Sequence, residues 1–186
     1  RSFCHQRNIA LIGDMPIYVV LDSVDVWVAP HLFKLDEWKR PTAVAGVPPD
    51  YFSETGQLWG NPVYRWDVLR EEGYDWWIRR IRHNLSLYDW IRVDHFRGSV
   101  GYWEIPAEDQ TAINGRWVDA PANDFFECVL REIPGASIMA EDLGVITEEV
   151  REIMHRFVFP GMKVLIFAFG SDVPSNPYAP HNHVKH

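Results

Sequence analysis

Short apolar runs alternate with amphipathic stripes along this chain, and that alternation limits the folds open to it. Four runs read as buried strands: IALIG at 9–13, YDWIRV at 88–93, SIMA at 137–140 and KVLIFAF at 163–169. Helical patterns separate the later ones. Tyr74, Trp77, Ile78, Ile81 and Leu85 recur at three- and four-residue spacing. Phe126, Val129, Leu130 and Ile133 do the same, with Asn123 as the expected N-cap. Val150, Ile153, Met154 and Phe157 make a third stripe, opened by Thr147 and two glutamates that suit the helix dipole. Strand alternating with helix predicts an α/β protein with a parallel sheet.

Two architectures fit that order. A doubly wound sheet needs only a few strands, but no GxGxxG or GxxxxGK turn follows any run here. A (β/α)8 barrel takes about 250 residues, so the 186 residues here would supply only its central strands. The strand ends favour the barrel. GDMP carries Asp14, RVDH carries Asp94, and AEDLG carries Glu141 and Asp142. Barrel enzymes gather catalytic groups at the C-terminal ends of several strands. The expected fold is a partial (β/α)8 TIM barrel of α/β class, with residues 1–186 as the central segment of a catalytic barrel. Residues 22–66 are too long for an ordinary strand-to-helix connection and are read as an inserted loop or subdomain over the active site. RSFCHQRN at the start and PYAPHNHVKH at the end read as interior pieces of a longer polypeptide.

A formal net charge of -8 argues against nucleic acid or an anionic membrane as partner. No apolar run approaches the roughly 20 residues that span a bilayer, and no secretion signal is visible. Cys4 and Cys128 suit a reducing compartment better than a disulfide scaffold. The expected location is the cytoplasm, or a plastid if the source is a plant. Trp is unusually frequent, with 9 in the chain, several in Gly- and Pro-rich stretches. Flat apolar faces with polar rims suit sugar rings, although core packing accounts for most such residues.

Arg92 and Asp94 sit two apart in WIRVDHFRG, so a strand points both to one face. The cation favours the charged form of Asp94, which can then act as a nucleophile. Glu141 follows the apolar SIMA, and a drier setting raises a carboxyl pKa. One ionised and one protonated carboxyl divide the labour of glycoside chemistry. A structural ion pair is the alternative reading of Arg92 and Asp94.

The blocks IGDMPIYV, AGVPPDYFSETGQLWGNP, RVDHFRG, GYWEIPA, INGRWV, AEDLGVIT and FPGMKVL, in this order, resemble the signature blocks of the amylomaltase (4-α-glucanotransferase) family, glycoside hydrolase family 77, related to the α-amylases. The resemblance covers nearly the whole chain. It implies transfer of an α-1,4-glucan segment from maltodextrin, starch or glycogen-derived donors to an acceptor glucan or glucose. The implied route is a retaining double displacement without metal or organic cofactor. Asp94 then matches the nucleophile, Glu141 the acid/base and Arg92 the nucleophile's support. Asp14, His95 and Asp142 match positions near the sugar at the cleavage point. Tyr51, Phe52 and Trp59, with Asn61 beside them, match the aromatic loop over the glucan. These loop aromatics are expected to be more exposed than Trp77 and Phe126. The family's third catalytic carboxylate falls in a block downstream of residue 186, so the segment alone is expected to be inactive. Val158 stands where the family usually has glycine. Oligomeric state is not legible.

Two other functions were weighed. His181, His183 and His186 in HNHVKH, with His95, suggest a metal hydrolase. A non-catalytic glucan-binding module would also use the aromatic loop.

Overall fold

The computed structural model describes residues 1–51, 53–169, 176 and 179. The chain is a mixed α/β protein with one parallel and one antiparallel sheet. In order it forms α1 (Ser2–His5), β1 (Ile12–Pro16), α2 (Val24–Val28), β2 (Ala43–Val47), β3 (Gln57–Pro62), α3 (Trp66–Glu71), α4 (Asp75–Leu87), β4 (Trp90–Asp94), β5 (Gly101–Pro106), β6 (Arg116–Asp119), α5 (Ala122–Glu132), β7 (Ile138–Ala140) and α6 (Glu148–Phe157).

The parallel sheet has the order β1-β4-β7. Burial alternates along its strands as the pleat requires: Gly13 and Met15 face inward in β1, Ile91 and Val93 in β4. Gly13 is small for a reason, because a Cβ there would lie 2.1 Å from the Tyr88 ring. The helices bury the expected stripes. Trp77, Ile78 and Ile81 of α4, Phe125, Phe126 and Val129 of α5, and Val150 and Ile153 of α6 are all in the core. Each large apolar side chain fully buried contributes about 1.5–3 kcal/mol. Trp66 and Trp77 are core, stacked 6.5 Å apart against Phe125, but Trp27, Trp38, Trp59, Trp90 and Trp117 are exposed, so core packing does not account for most of the tryptophan.

The antiparallel sheet has the order β3-β2-β5-β6. The stretch 22–66 supplies β2 and β3, and the connection after β4 supplies β5 and β6. Ala43 to Gly46 pair with Trp103 to Pro106. A bulge between Val44 and Gly46 breaks the register of β2 with β3. Glu104 of β5 is buried beneath this sheet, held by Lys34 and by Arg116 Nη2 at 2.8 Å.

Several boundaries differ from the sequence reading. β1 runs over 12–16, not 9–13, because Asp14 and Pro16 continue the register onto Arg92 and Asp94. The run at 163–169 is not a strand. Leu165–Phe169 forms a 3-10 helix with Leu165, Ile166, Phe167 and Phe169 exposed. A buried strand needs a hydrogen-bonding neighbour, and among the described residues the parallel sheet ends at β7. Asn123 is not the cap of α5. The helix starts at Ala122 after Pro121, and the Asn123 side chain accepts a hydrogen bond from Arg156 Nη1 at 2.7 Å. Thr147 does occupy the N-cap of α6, although its side chain accepts no backbone N–H.

Candidate active site

The parallel register sets Asp14 beside Arg92 and Pro16 beside Asp94. Arg92 uses this arrangement fully. Its Nε donates to Asp14 Oδ1 at 2.7 Å and its Nη2 to Asp94 Oδ1 at 2.8 Å. One guanidinium thus bridges carboxylates on neighbouring strands. Asp94 and Asp14 stay 45% and 60% exposed, so water or a ligand reaches both.

Glu141 ends β7, next to β4. Its backbone N–H donates to Val93 O at 3.0 Å, carrying the strand pairing one residue past β7. The side chain turns back to the end of β4. Its Oε2 accepts from His95 N–H at 2.9 Å, and its Oε1 accepts from Leu143 N–H at 2.7 Å. Burial pushes the Glu141 carboxyl above its ordinary value, and the two N–H donors pull against that shift. The negative charge of Asp94 adds to the rise and Arg92 opposes it.

His95 adopts a left-handed backbone with φ of 50° just after β4. Its ring meets Trp59 edge-on at 4.7 Å and Tyr18 at 6.4 Å. Burial, helped by the charge of Arg97, lowers its pKa to about 4, so the imidazole is neutral near pH 7. Its buried Nε2 has no hydrogen-bond partner among the described residues. Trp59 comes from β3, and its Nε1 donates to Gln57 Oε1 at 3.1 Å. The antiparallel sheet thereby delivers an indole to the end of the parallel one. Asn61 donates to Val19 O at 3.0 Å, tying β3 to the chain after β1.

The remaining expected residues are Tyr51, Phe52 and Asp142. Tyr51 is 97% exposed and Trp59 37%, against 2% for Trp77 and 1% for Phe126. Phe52 lies outside the described residues, as do His181, His183 and His186. Asp142 turns toward the turn at 160–163. Its Oδ1 accepts from Met162 N–H at 2.8 Å, and its Oδ2 is 3.6 Å from Lys163 Nζ. Among the described residues, no three His, Cys, Asp or Glu side chains are grouped to hold a metal ion. No described helix is long and apolar enough to cross a membrane.

Tyr18 and Met162 were not singled out from sequence. Tyr18 is buried between Tyr64, Trp59 and His95. Met162 Sδ accepts from Arg92 Nη1 at 3.5 Å. Neither sits on a strand or helix period, so nothing in the spacing marks them.

These features define an α/β protein with a carboxylate site at one end of its parallel sheet. The chain belongs to glycoside hydrolase family 77, described as 4-alpha-glucanotransferase, whose profile matches residues 1–186. It is 57% identical over 179 residues to the 4-alpha-glucanotransferase of Thermus thermophilus, covering 96% of this chain and 36% of that protein. It is 50% identical over 182 residues to the 4-alpha-glucanotransferase of Aquifex aeolicus, covering 98% of this chain and 37% of that protein. The chain thus spans little more than a third of the length of these curated relatives. Among solved structures, the amylomaltase of Streptococcus agalactiae in complex with acarbose superposes with a TM-score of 0.93 at 45% identity, covering 98% of this chain and 37% of that one.

Proposed function

We propose that this chain carries two catalytic carboxyl groups of a retaining 4-α-glucanotransferase. Asp94 is the nucleophile: one oxygen is held by Arg92 and the side chain remains open to the anomeric carbon. Glu141 is the acid/base. It protonates the departing glycosidic oxygen, then takes the proton of the acceptor hydroxyl that releases the glycosyl-enzyme. The observation that carries this reading is the pairing of an open, Arg-held aspartate with a dried glutamate on the adjacent strand end. Burial raises the Glu141 carboxyl in the direction an acid/base needs.

The surrounding residues take substrate roles in the same reading. Asp14 and the unpartnered Nε2 of His95 meet hydroxyls of the sugar at the cleavage point. Trp59 and Tyr51 contact the glucan as aromatic faces, with Asn61 holding β3 in place, and Phe52, outside the described residues, takes the same substrate role. The parallel strands β1, β4 and β7 are central strands of a (β/α)8 barrel, and residues 22–66 form the insertion over its mouth. The substrates are an α-1,4-glucan donor and a glucan or glucose acceptor, and no metal or organic cofactor takes part. A cytoplasmic or plastid location goes with this reading, and both free cysteines suit it.

The test is disproportionation of maltotriose by the full-length polypeptide carrying these residues. Glucose and longer α-configured maltodextrins are expected. Asp94→Asn should abolish transfer, and Glu141→Gln should block it for natural glucans. A β-configured product, or full activity of Asp94→Asn, overturns the assignment.

A further inference from the structure

The proposed function leaves Asp142 facing away from the two carboxyls, although it directly follows Glu141 and is largely buried. Its contacts lead back to the site by another route. Ala140 N–H donates to Pro160 O at 2.8 Å, so the turn at 160–163 runs alongside β7. Asp142 Oδ1 receives the Met162 N–H and fixes that turn. Gly161 packs tightly there: a Cβ would lie 2.6 Å from Asp142 Oδ2, and the carboxylate would have to shift. Lys163 Nζ lies 3.6 Å from the same oxygen. The Met162 sulfur then accepts from Arg92 Nη1 at 3.5 Å.

All three nitrogens of the Arg92 guanidinium are therefore engaged: Nε by Asp14, Nη2 by Asp94 and Nη1 by the Met162 sulfur. A planar fork held at three corners has one orientation. The thioether is a weak, uncharged acceptor, so it fixes the plane without competing with the carboxylates for charge.

We propose that Asp142 is a positioning residue, which through the Gly161–Met162 turn sets the guanidinium plane of Arg92 and thereby the attack geometry of Asp94. The proposal rests on the roles given above to Asp94 and Glu141. It differs from a sugar contact by Asp142, which would show in KM, and from an indirect effect on its neighbour Glu141.

A donor with a fluoride leaving group separates these routes. Fluoride departs without a proton, so its initial release needs the nucleophile but not the general acid. In the full-length enzyme, Asp142→Ala should lower kcat by about 10- to 100-fold with maltotriose and with α-maltosyl fluoride alike, since misplacement by about 1 Å costs that much. KM should stay within about twofold, as expected when a loss falls on the transition state alone. Asp142→Asn keeps an oxygen for the Met162 N–H and should recover most of the rate with both donors. Met162→Leu keeps the volume, loses the sulfur acceptor, and should lose about three- to tenfold with both. If Asp142→Ala does not fold, Met162→Leu decides. Wild-type fluoride release in Asp142→Ala, or in Met162→Leu where only that variant folds, overturns the proposal, as does a loss confined to KM. Absence of transfer by the wild-type enzyme is a different failure, because it removes the roles of Asp94 and Glu141 on which the proposal stands.

Discussion

Each sheet of this protein carries a cluster of charges, and the two clusters use the same parts in opposite proportion. On the parallel sheet, the single cation Arg92 bridges Asp14 and Asp94, with Glu141 on the next strand end. On the antiparallel sheet, the single carboxylate Glu104 lies between the cations Lys34 and Arg116. Glu104 is only 6% exposed, whereas Asp94 is 45% exposed. A buried carboxylate with two cations is satisfied and closed. Two open carboxylates sharing one cation keep acceptor capacity for something that is not protein. Charge balance and exposure, not the presence of an ion pair, separate a candidate site from a structural brace.

The strongest test of that distinction is to remove one carboxylate from each cluster in the full-length enzyme. Asp94→Asn should cut glucan transfer by at least about a thousandfold, as expected when a nucleophile acting in concert with other groups is lost. Its urea midpoint should stay close to wild type, because Asp94 is nearly half exposed and Arg92 keeps Asp14. Glu104→Gln should leave the transfer rate per folded molecule unchanged. A large loss of kcat in Glu104→Gln would erase the contrast between the sheets.

Stability should respond in the reverse sense. Glu104→Ala leaves the ammonium of Lys34, 30% exposed, without its carboxylate. Breaking a fully buried pair costs about 3–5 kcal/mol, and partial access of both cations to water reduces this to about 2 kcal/mol. The pH dependence has a definite sign. Burial works against the Glu104 carboxylate, but hydrogen bonds from Lys34 and Arg116 outweigh it and hold its pKa below the ordinary value. The stability from its charge is therefore present above the unfolded carboxylate value, about 4.3. It is lost as pH falls through the lower folded value. Urea titrations of wild type and Glu104→Gln should differ at pH 7 and converge in acid. A gap that widens on acidification contradicts the bracing role.

The parallel sheet was legible in the sequence far better than the antiparallel one. Its strands are apolar runs ending in acids, and both signals are local, which is why Asp14, Asp94 and Glu141 stood out as acids at strand ends. The antiparallel strands AVAGV, QLWGNP, GYWEIP and RWVD have little period-two contrast, and β2 pairs with a segment beyond β4. That pairing is a tertiary fact with no local signature. The run at 163–169 misled because apolar composition alone does not provide a neighbouring strand. Tyr18 and Met162 lie inside the blocks IGDMPIYV and FPGMKVL, but they act through contacts between elements, so no spacing singles them out.

One local departure was legible and now has a physical reading. Val158, where the resembling family has glycine, closes α6 at φ 56° and is exposed. A β-branched residue is strained in that left-handed region by about 1–2 kcal/mol. The greater freedom of glycine in the unfolded chain offsets part of the gain. Val158→Gly should raise stability by about 0.5–1 kcal/mol in urea unfolding and leave glucan transfer unchanged. It touches neither charge cluster, so it shows how far stability moves without either sheet's ions. A destabilised Val158→Gly would mean that contacts of the valine outweigh its backbone strain.

The smallest expected effect comes from the arginine that looks most like Arg92. Arg116 and Arg92 each donate from Nη2 to a carboxylate oxygen at 2.8 Å. Distance therefore cannot rank them. Arg92 is 25% exposed and has two further partners, Asp14 and Met162. Arg116 is 75% exposed, and Glu104 keeps Lys34 when it is removed. Water replaces an exposed guanidinium at little cost, and salt screens what attraction remains. Arg116→Gln should therefore lower the urea midpoint by much less than Glu104→Ala, and the difference from wild type should shrink further in high salt. Arg92→Gln should lose transfer by about 100-fold or more, because Asp94, the proposed nucleophile, loses its only cation among the described residues and its fixed geometry. Equal losses of activity in the two variants would mean that the antiparallel sheet's charges reach the chemistry after all, and that the ratio of carboxylates to cations is no guide to where it happens.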